Sequence, residues 1–302
     1  MRVDISDNIS VLFTEQGFTY CNCLYINDDV RALVDSGFDQ GGMQGIDAES
    51  IDLVINSHHH MDHCRGNSLL PRAEVMIHQS ECEILTTADK YFDANSLDLW
   101  ERLMPGQSLA DAYEEIGFDR VEKGYQPFDY TKKVSPIEEG QLLDFGHTKA
   151  EVWHTPGHSA GHCCFWFPNE ELLFCSDICL TKAGPWYGEH MASPFELKQS
   201  IDRILEFNPP RVISSHVGEL ITDVCPRLTE FKSRIDKREE RIYRSLKSRP
   251  ADIHMLAAQN LVYRAHPTAY VVFWEKLMLL KHLDSLIRQG LVDCAEGKYF
   301  AR

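Results

Sequence analysis

Seven consecutive residues, Ser57-His58-His59-His60-Met61-Asp62-His63, gather unusual coordinating power in one short stretch. His58, His60, Asp62 and His63 read as H-x-H-x-D-H. On an extended segment side chains alternate with period two, so His58 and His60 face the same way and can bind one metal. Asp62 and His63 fall past a strand end, where the chain turns into a helix and aims them at a second ion. Imidazole and carboxylate are the usual zinc ligands outside thiolate sites, and iron or manganese also accept such donors. Two divalent ions about 3.5–4 Å apart can share a hydroxide near neutral pH and polarise a carbonyl or phosphoryl oxygen. No serine or cysteine nucleophile is then needed. Asp62, a ligand of the second ion, would also orient the attacking group.

Four donors do not complete two coordination shells, and three further residues stand near strand ends. His158 follows the strand Ala150–His154 in Thr155-Pro156-Gly157-His158, Asp177 ends Leu172–Asp177, and His216 follows Val212–Ser215. The carboxylate of Asp177 can bridge two cations. This ordered set resembles the metallo-β-lactamase superfamily over residues 9 to about 220. The resemblance implies an α/β fold, an αββα sandwich. It places His58, His60 and His158 on the first metal, Asp62, His63 and His216 on the second, and Asp177 between them. The Thr-Pro-Gly-His signature is similar to that of glyoxalase II-like thioesterases, although their basic substrate-binding motif is not identifiable in the C-terminal part.

The chemistry expected is hydrolysis of a small ester, thioester or lactone, with a small-molecule acyl substrate. Within the same superfamily the resemblance also admits an RNA or phosphodiester hydrolase and a mononuclear-iron persulfide dioxygenase. Tyr187, in Gly184-Pro185-Trp186-Tyr187, is a candidate catalytic donor to a developing oxyanion. His59 points away from the ligands as a loop or supporting residue, and His147, His154 and His162 read as structural. Cys64, Cys175 and Cys179 flank the ligands but read as packing residues.

The elements that must position these groups begin with short apolar runs: Ile9–Phe13, Cys21–Ile26, Arg31–Asp35 and Ile51–Asn56. They are expected to form a mostly antiparallel sheet. A strand at Glu74–His78 follows, then a helical insertion over about residues 88–131, which suits a lid over the metal cleft or a dimer interface. Strands return at Gln141–Phe145, Ala150–His154, Gly161–Phe167, Leu172–Ser176 and Arg211–Ser215. Ser193-Pro194-Phe195-Glu196 carries the N-cap, first-turn proline and N3 glutamate of a helix start. Helices are expected at Leu228–Leu246, Ile253–Tyr263 and Ala269–Arg288. A hairpin at Leu291–Phe300 completes a winged-helix outline, so residues 1–226 read as the catalytic domain and 227–302 as a winged-helix-like module.

Charge divides at the same place. Residues 1–226 hold 15 Lys and Arg against 37 Asp and Glu, whereas 227–302 hold 15 against 9. An acidic body repels polyanions, which disfavours nucleic acid as a partner. The first ten residues lack the basic and apolar runs of a signal peptide, and no window has the length of a membrane span. The 10 cysteines show no paired metal-knuckle spacing. We therefore expect a reduced, cytoplasmic protein, with a homodimer as a possible assembly.

Overall fold

The computed structural model describes residues 1–14, 19–38, 43, 45–116 and 133–302. Seven strands lie side by side in chain order: β1 (Arg2–Asp4), β2 (Ile9–Leu12), β3 (Cys23–Asn27), β4 (Arg31–Val34), β5 (Leu53–Ile55), β6 (Glu74–His78) and β7 (Val134–Ile137). β1 to β4 pair antiparallel. The four expected strands thus pair mostly antiparallel, while from β4 to β7 the pairing is parallel. Parallel neighbours need long crossovers. Those crossovers carry α1 (Met61–Cys64), α2 (Ala88–Ala94), α3 (Trp100–Leu103) and α4 (Leu109–Glu115).

A second sheet contains β8 (Leu142–Asp144), β9 (Lys149–His154), β10 (Cys163–Phe167), β11 (Leu172–Phe174) and β12 (Arg211–Ile213). Only its β11–β12 pair is parallel. Val11, Ile26, Val34 and Ile55 of the first sheet meet Val152, Phe165, Phe174 and Ile213 of the second in one buried core. Alternation along β3 sends Leu24 and Ile26 into this core, while Cys23 and Tyr25 join the cluster on the outer face. The outer face of the second sheet is covered by α5 (Pro194–Phe207) and α6 (Val224–Ser248). The layers are thus those of an αββα sandwich.

The remaining elements are α7 (Ile253–Ala257), α8 (Ala269–Arg288), β13 (Val292–Ala295) and β14 (Lys298–Ala301). Among them α7 is much shorter than the expected helix Ile253–Tyr263. Asn260 turns left-handed at φ 53°, and the buried Glu275 carboxylate takes the Val262 and Tyr263 amides at 2.9 and 2.8 Å. Amides held by that side chain cannot continue the helix. Pro226, the expected boundary, falls in the first turn of α6, and one apolar cluster joins Trp153 and Leu173 to Phe231, Ile242 and Leu283.

The first part of the expected insertion is helical. Leu97, Trp100, Leu103 and Ala112 bury their apolar side against Tyr270, Phe273 and Leu277 of α8. Residues 117–132, its second part, lie outside the described residues. All ten cysteines are free, and seven of them, Cys64, Cys175 and Cys179 included, are buried. No helix among the described residues is long and apolar enough to cross a membrane.

Candidate metal centre

Loops from both sheets deliver the expected ligands to one edge of the sandwich. After β5 the chain bends through Ser57, His58 and His59, then enters α1 at His60. Strand alternation is therefore not what aligns His58 with His60, because β5 ends at Ile55. The bend nevertheless brings His58 Nε2 within 2.9 Å of His60 Nδ1. Gly157, at φ 124°, turns the β9–β10 connection and presents His158, whose Nε2 lies 2.9 Å from His60 Nδ1 and 3.2 Å from His58 Nε2. Asp177 follows Ser176, itself left-handed at φ 44°, and its Oδ2 lies 3.3 Å from His158 Nε2.

The far oxygen of the same carboxylate opens a second group. Asp177 Oδ1 is 3.2 Å from both His63 Nε2 and His216 Nε2. Asp62 Oδ2 is 3.4 Å from His63 Nε2 and 3.3 Å from His216 Nε2. All seven expected ligands are thus brought together, four in one group and three in the other. Separations of this size approach the edge of a tetrahedron with metal–nitrogen bonds of about 2.0–2.1 Å, an edge of roughly 3.3–3.4 Å.

Hydrogen bonds behind the ligands fix which nitrogen faces inward. His158 Nδ1–H donates to the Trp186 carbonyl at 3.0 Å, and His60 Nε2–H donates to Glu189 at 3.0 Å. Ser57 Oγ donates to Asp35 Oδ2, which leaves it to accept from His58 Nδ1–H at 3.0 Å. Asp35 also takes His63 Nδ1–H at 2.8 Å. Each of these imidazoles therefore turns its other nitrogen into the site, the arrangement that supports a metal-bound histidine. Three mutually adjacent lone pairs repel without a cation between them. His63 Nε2 and Asp177 Oδ1 are moreover buried without a hydrogen-bond partner. The donor set fits divalent ions.

Electrostatics separates the two groups. Burial and the neighbouring imidazoles hold His58 well below the usual imidazole range, and burial pulls His158 down to about 4. Burial also opposes charge on His216, yet Asp177 and Asp62 push it up to about 10. His63 is raised in the same way, with Asp62 and Asp35 overcoming its burial. Both carboxylates are held below their usual range despite burial, Asp62 chiefly by His63 and Asp177 chiefly by His216. Without a metal, the second group therefore keeps protons where a cation would sit.

Three supporting acids carried no local signal in the sequence. Asp35, buried and left-handed at φ 62°, binds the Ser57 amide and hydroxyl besides His63. Glu81 binds the His59 and Gly161 amides and the Ser159 hydroxyl, straddling two ligand loops. Glu189 supports His60. The ring of His59 lies between Glu81 and Glu189, at 3.0 and 3.2 Å, and burial is outweighed by these acids, which push it up to about 10. His59 thus faces away from the ligands, as expected, and neutralises two buried carboxylates. His162 accepts the Asp177 amide on Nε2 at 3.0 Å and so orients that ligand's backbone.

Tyr187 does not join the site. It is fully buried, its hydroxyl lies 2.8 Å from His282 Nε2, and it accepts from Arg238 at 3.1 Å. Its neighbour Trp186 instead lines the cleft. Arg238 also donates to the Ala183 and Pro185 carbonyls. Tyr187 therefore ties the 183–187 loop to α6 and α8, and the expected oxyanion donor faces the wrong way. Cys179 reaches the cleft wall, while Cys64 and Cys175 bond backbone carbonyls.

Above the ligands opens a cleft of about 630 Å3. Asp62, His60, His158, Asp177 and His216 form its floor. Tyr91, Asn95 and Tyr113 of the insertion and Tyr263, Tyr270 and Trp274 of the C-terminal region form walls.

Comparison with known proteins agrees with this geometry. The metallo-beta-lactamase superfamily model matches residues 16–216. A hydroxyacylglutathione hydrolase from Rhodospirillum rubrum is 28% identical over 128 residues, 42% of this chain. That match spans only about a third (34%) of the relative's own length. A hydroxyacylglutathione hydrolase from Rhizobium johnstonii is 26% identical over 82% of this chain and 75% of its own. The crystal structure of a metallo-beta-lactamase family protein from Thermus thermophilus aligns with a TM-score of 0.74 at 21% identity, covering 99% of this chain and 100% of that one. Shared fold thus extends through α8 and the closing hairpin. With the family model covering most of the chain, and its fold and ordered histidine and aspartate groups in place, this protein belongs to the metallo-beta-lactamase superfamily.

Proposed function

We propose that the protein is a dinuclear metal-dependent hydrolase of a small ester, thioester or lactone. The observation that carries this reading is the Asp177 carboxylate, with Oδ2 beside His158 and Oδ1 beside His63 and His216. One carboxylate shared by two groups of donors suits two ions held close together, and nitrogen and oxygen donors in tetrahedral spacing suit zinc. When bound, such a pair supplies an activated water and a Lewis acid for the scissile carbonyl. Asp62 belongs to the second group and also lines the cleft, so its carboxylate can orient the attacking water and receive its proton. His58, His60 and His158 anchor the first position, held by Ser57, Glu189 and the Trp186 carbonyl. The thioester arm of the proposal is supported by the relatives named hydroxyacylglutathione hydrolase.

The test is turnover of zinc-loaded protein against acyl thioesters, aryl esters and lactones, with single-stranded RNA alongside. Hydrolysis of a carbonyl substrate that is lost on chelation and restored by zinc is expected. Cleavage of RNA alone would overturn the proposal.

A further inference from the structure

The cleft has an internal order that the metal chemistry alone does not require. Beginning at the ligands, the Trp186 ring lies 5.1 Å from His60 and 5.5 Å from His158, edge-on to both. Trp274 follows at 6.0 Å, Tyr270 at 5.0 Å from Trp274, and Tyr113 at 5.5 Å from Tyr270. Four rings from three separate segments therefore make a continuous aromatic wall from the metal floor to the insertion. Spacings of 4.5–7 Å between ring centroids are those of favourable aromatic contacts, and an inserted flat ring can extend the series.

The charge lining the same cleft points the same way. Among the described residues its only ionisable carboxylates are Asp62 and Asp177, both in the ligand groups, and no Lys or Arg lines it. A polyanionic leaving group, such as a peptide thiol bearing carboxylates or a nucleotide-bearing thiol, finds no Lys or Arg among the described lining residues to offset its desolvation. Such a group is better placed outward, towards solvent. The acyl half is then the part that enters.

From this arrangement, and resting on the hydrolase reading above, we infer that the substrate is an ester or thioester whose acyl group carries an aromatic ring. Hydrolysis adds the hydroxyl of water to the acyl carbon, breaks the carbon–sulfur or carbon–oxygen bond, and returns a proton to the departing atom. The aryl ring packs along Trp186 and Trp274 while the carbonyl reaches the floor between His158 and Asp62.

The experiment compares N-acetylcysteamine thioesters, which share one small leaving group, with phenylacetyl, acetyl and D-lactoyl as the acyl part. Zinc-loaded protein is expected to favour phenylacetyl over the other two by about tenfold or more in kcat/KM. Trp274→Ala is expected to reduce that preference by about tenfold, the scale of a lost aromatic contact plus its buried area. A second readout needs no turnover: phenylacetate titrated into the zinc-loaded protein should quench its tryptophan fluorescence, and lactate should not. The half-buried Tyr113→Leu gives a second, independent variant with the same expectation. Equal or better turnover of the lactoyl and acetyl thioesters would overturn the aryl assignment and leave the hydrolase standing. Quenching by phenylacetate with no thioester or ester cleaved would retain the aryl cleft and overturn the hydrolase.

Discussion

At the scale of single residues, the site is built from two kinds of histidine. His158 and His58 are kept neutral, whereas His216 and His63 hold protons against Asp62 and Asp177. For metal-free protein this fixes the pH dependence of stability. His216 rises from an ordinary 6.5 to about 10, so its contribution is full below pH 6.5 and is lost as pH climbs through 10. His158 falls to about 4, so its contribution is full above pH 6.5 and is lost as pH drops through 4. Thermal melting of metal-free protein should therefore peak near pH 6.5, and excess zinc should reduce the alkaline decline by replacing the protons of His216 and His63, leaving the part that His59 contributes. A flat profile from pH 6.5 to 9 would count against this account. Glu189 acts one step back, through His60 Nε2–H. Glu189→Gln should weaken zinc binding about 10–100-fold, read by competition with a chromogenic chelator.

At the scale of elements, short turns do the positioning. A Cβ on Gly157 would lie 2.1 Å from the Leu197 amide nitrogen in the first turn of α5, and its φ of 124° disfavours any side chain. Gly157→Ala should lower stability by about 1–3 kcal/mol in chemical denaturation and weaken zinc binding by moving His158. Ser193, whose hydroxyl caps α5 by accepting the Glu196 amide, gives the contrast. Ser193→Ala should cost about 1 kcal/mol and leave metal stoichiometry unchanged. These elements were unequally legible in the sequence. Ser193-Pro194, the helix Ala269–Arg288 and the Glu296-Gly297 hairpin turn announce themselves by residue type at fixed spacing, and the structure has them there. β7 went unread because Pro136 argues against a strand, and only its edge position, opposite β6, accommodates it. The seven expected ligands were readable because histidine and aspartate at strand ends have few other uses. Asp35, Glu81 and Glu189 were not, since an isolated acid looks the same whether solvated or buried behind a metal ligand. Tyr187 and Trp186 were indistinguishable in a loop without periodicity, and tertiary bonds to Arg238 and His282 decided which faces the cleft.

At the scale of the whole molecule, the C-terminal helices and the insertion complete a site that the sandwich begins. Arg238 on α6 holds the 183–187 loop, and Glu275 on α8 holds the segment at Val262 and Tyr263, so each helix fixes one wall of the cleft. Replacing Arg238 by Met leaves the Ala183 and Pro185 carbonyls without their donor, a loss of about 1–3 kcal/mol in stability. The expected kinetic signature is a raised KM with zinc content retained. The proposed hydrolysis rests on two ions sharing Asp177. Elemental analysis of the purified protein beside Asp177→Ala tests that dependence most directly. We expect close to two zinc-like divalent ions per chain in the parent protein and one or fewer in the variant, with hydrolysis lost in parallel. One iron per chain in the parent protein, accompanied by oxygen uptake in place of hydrolysis, would contradict the account.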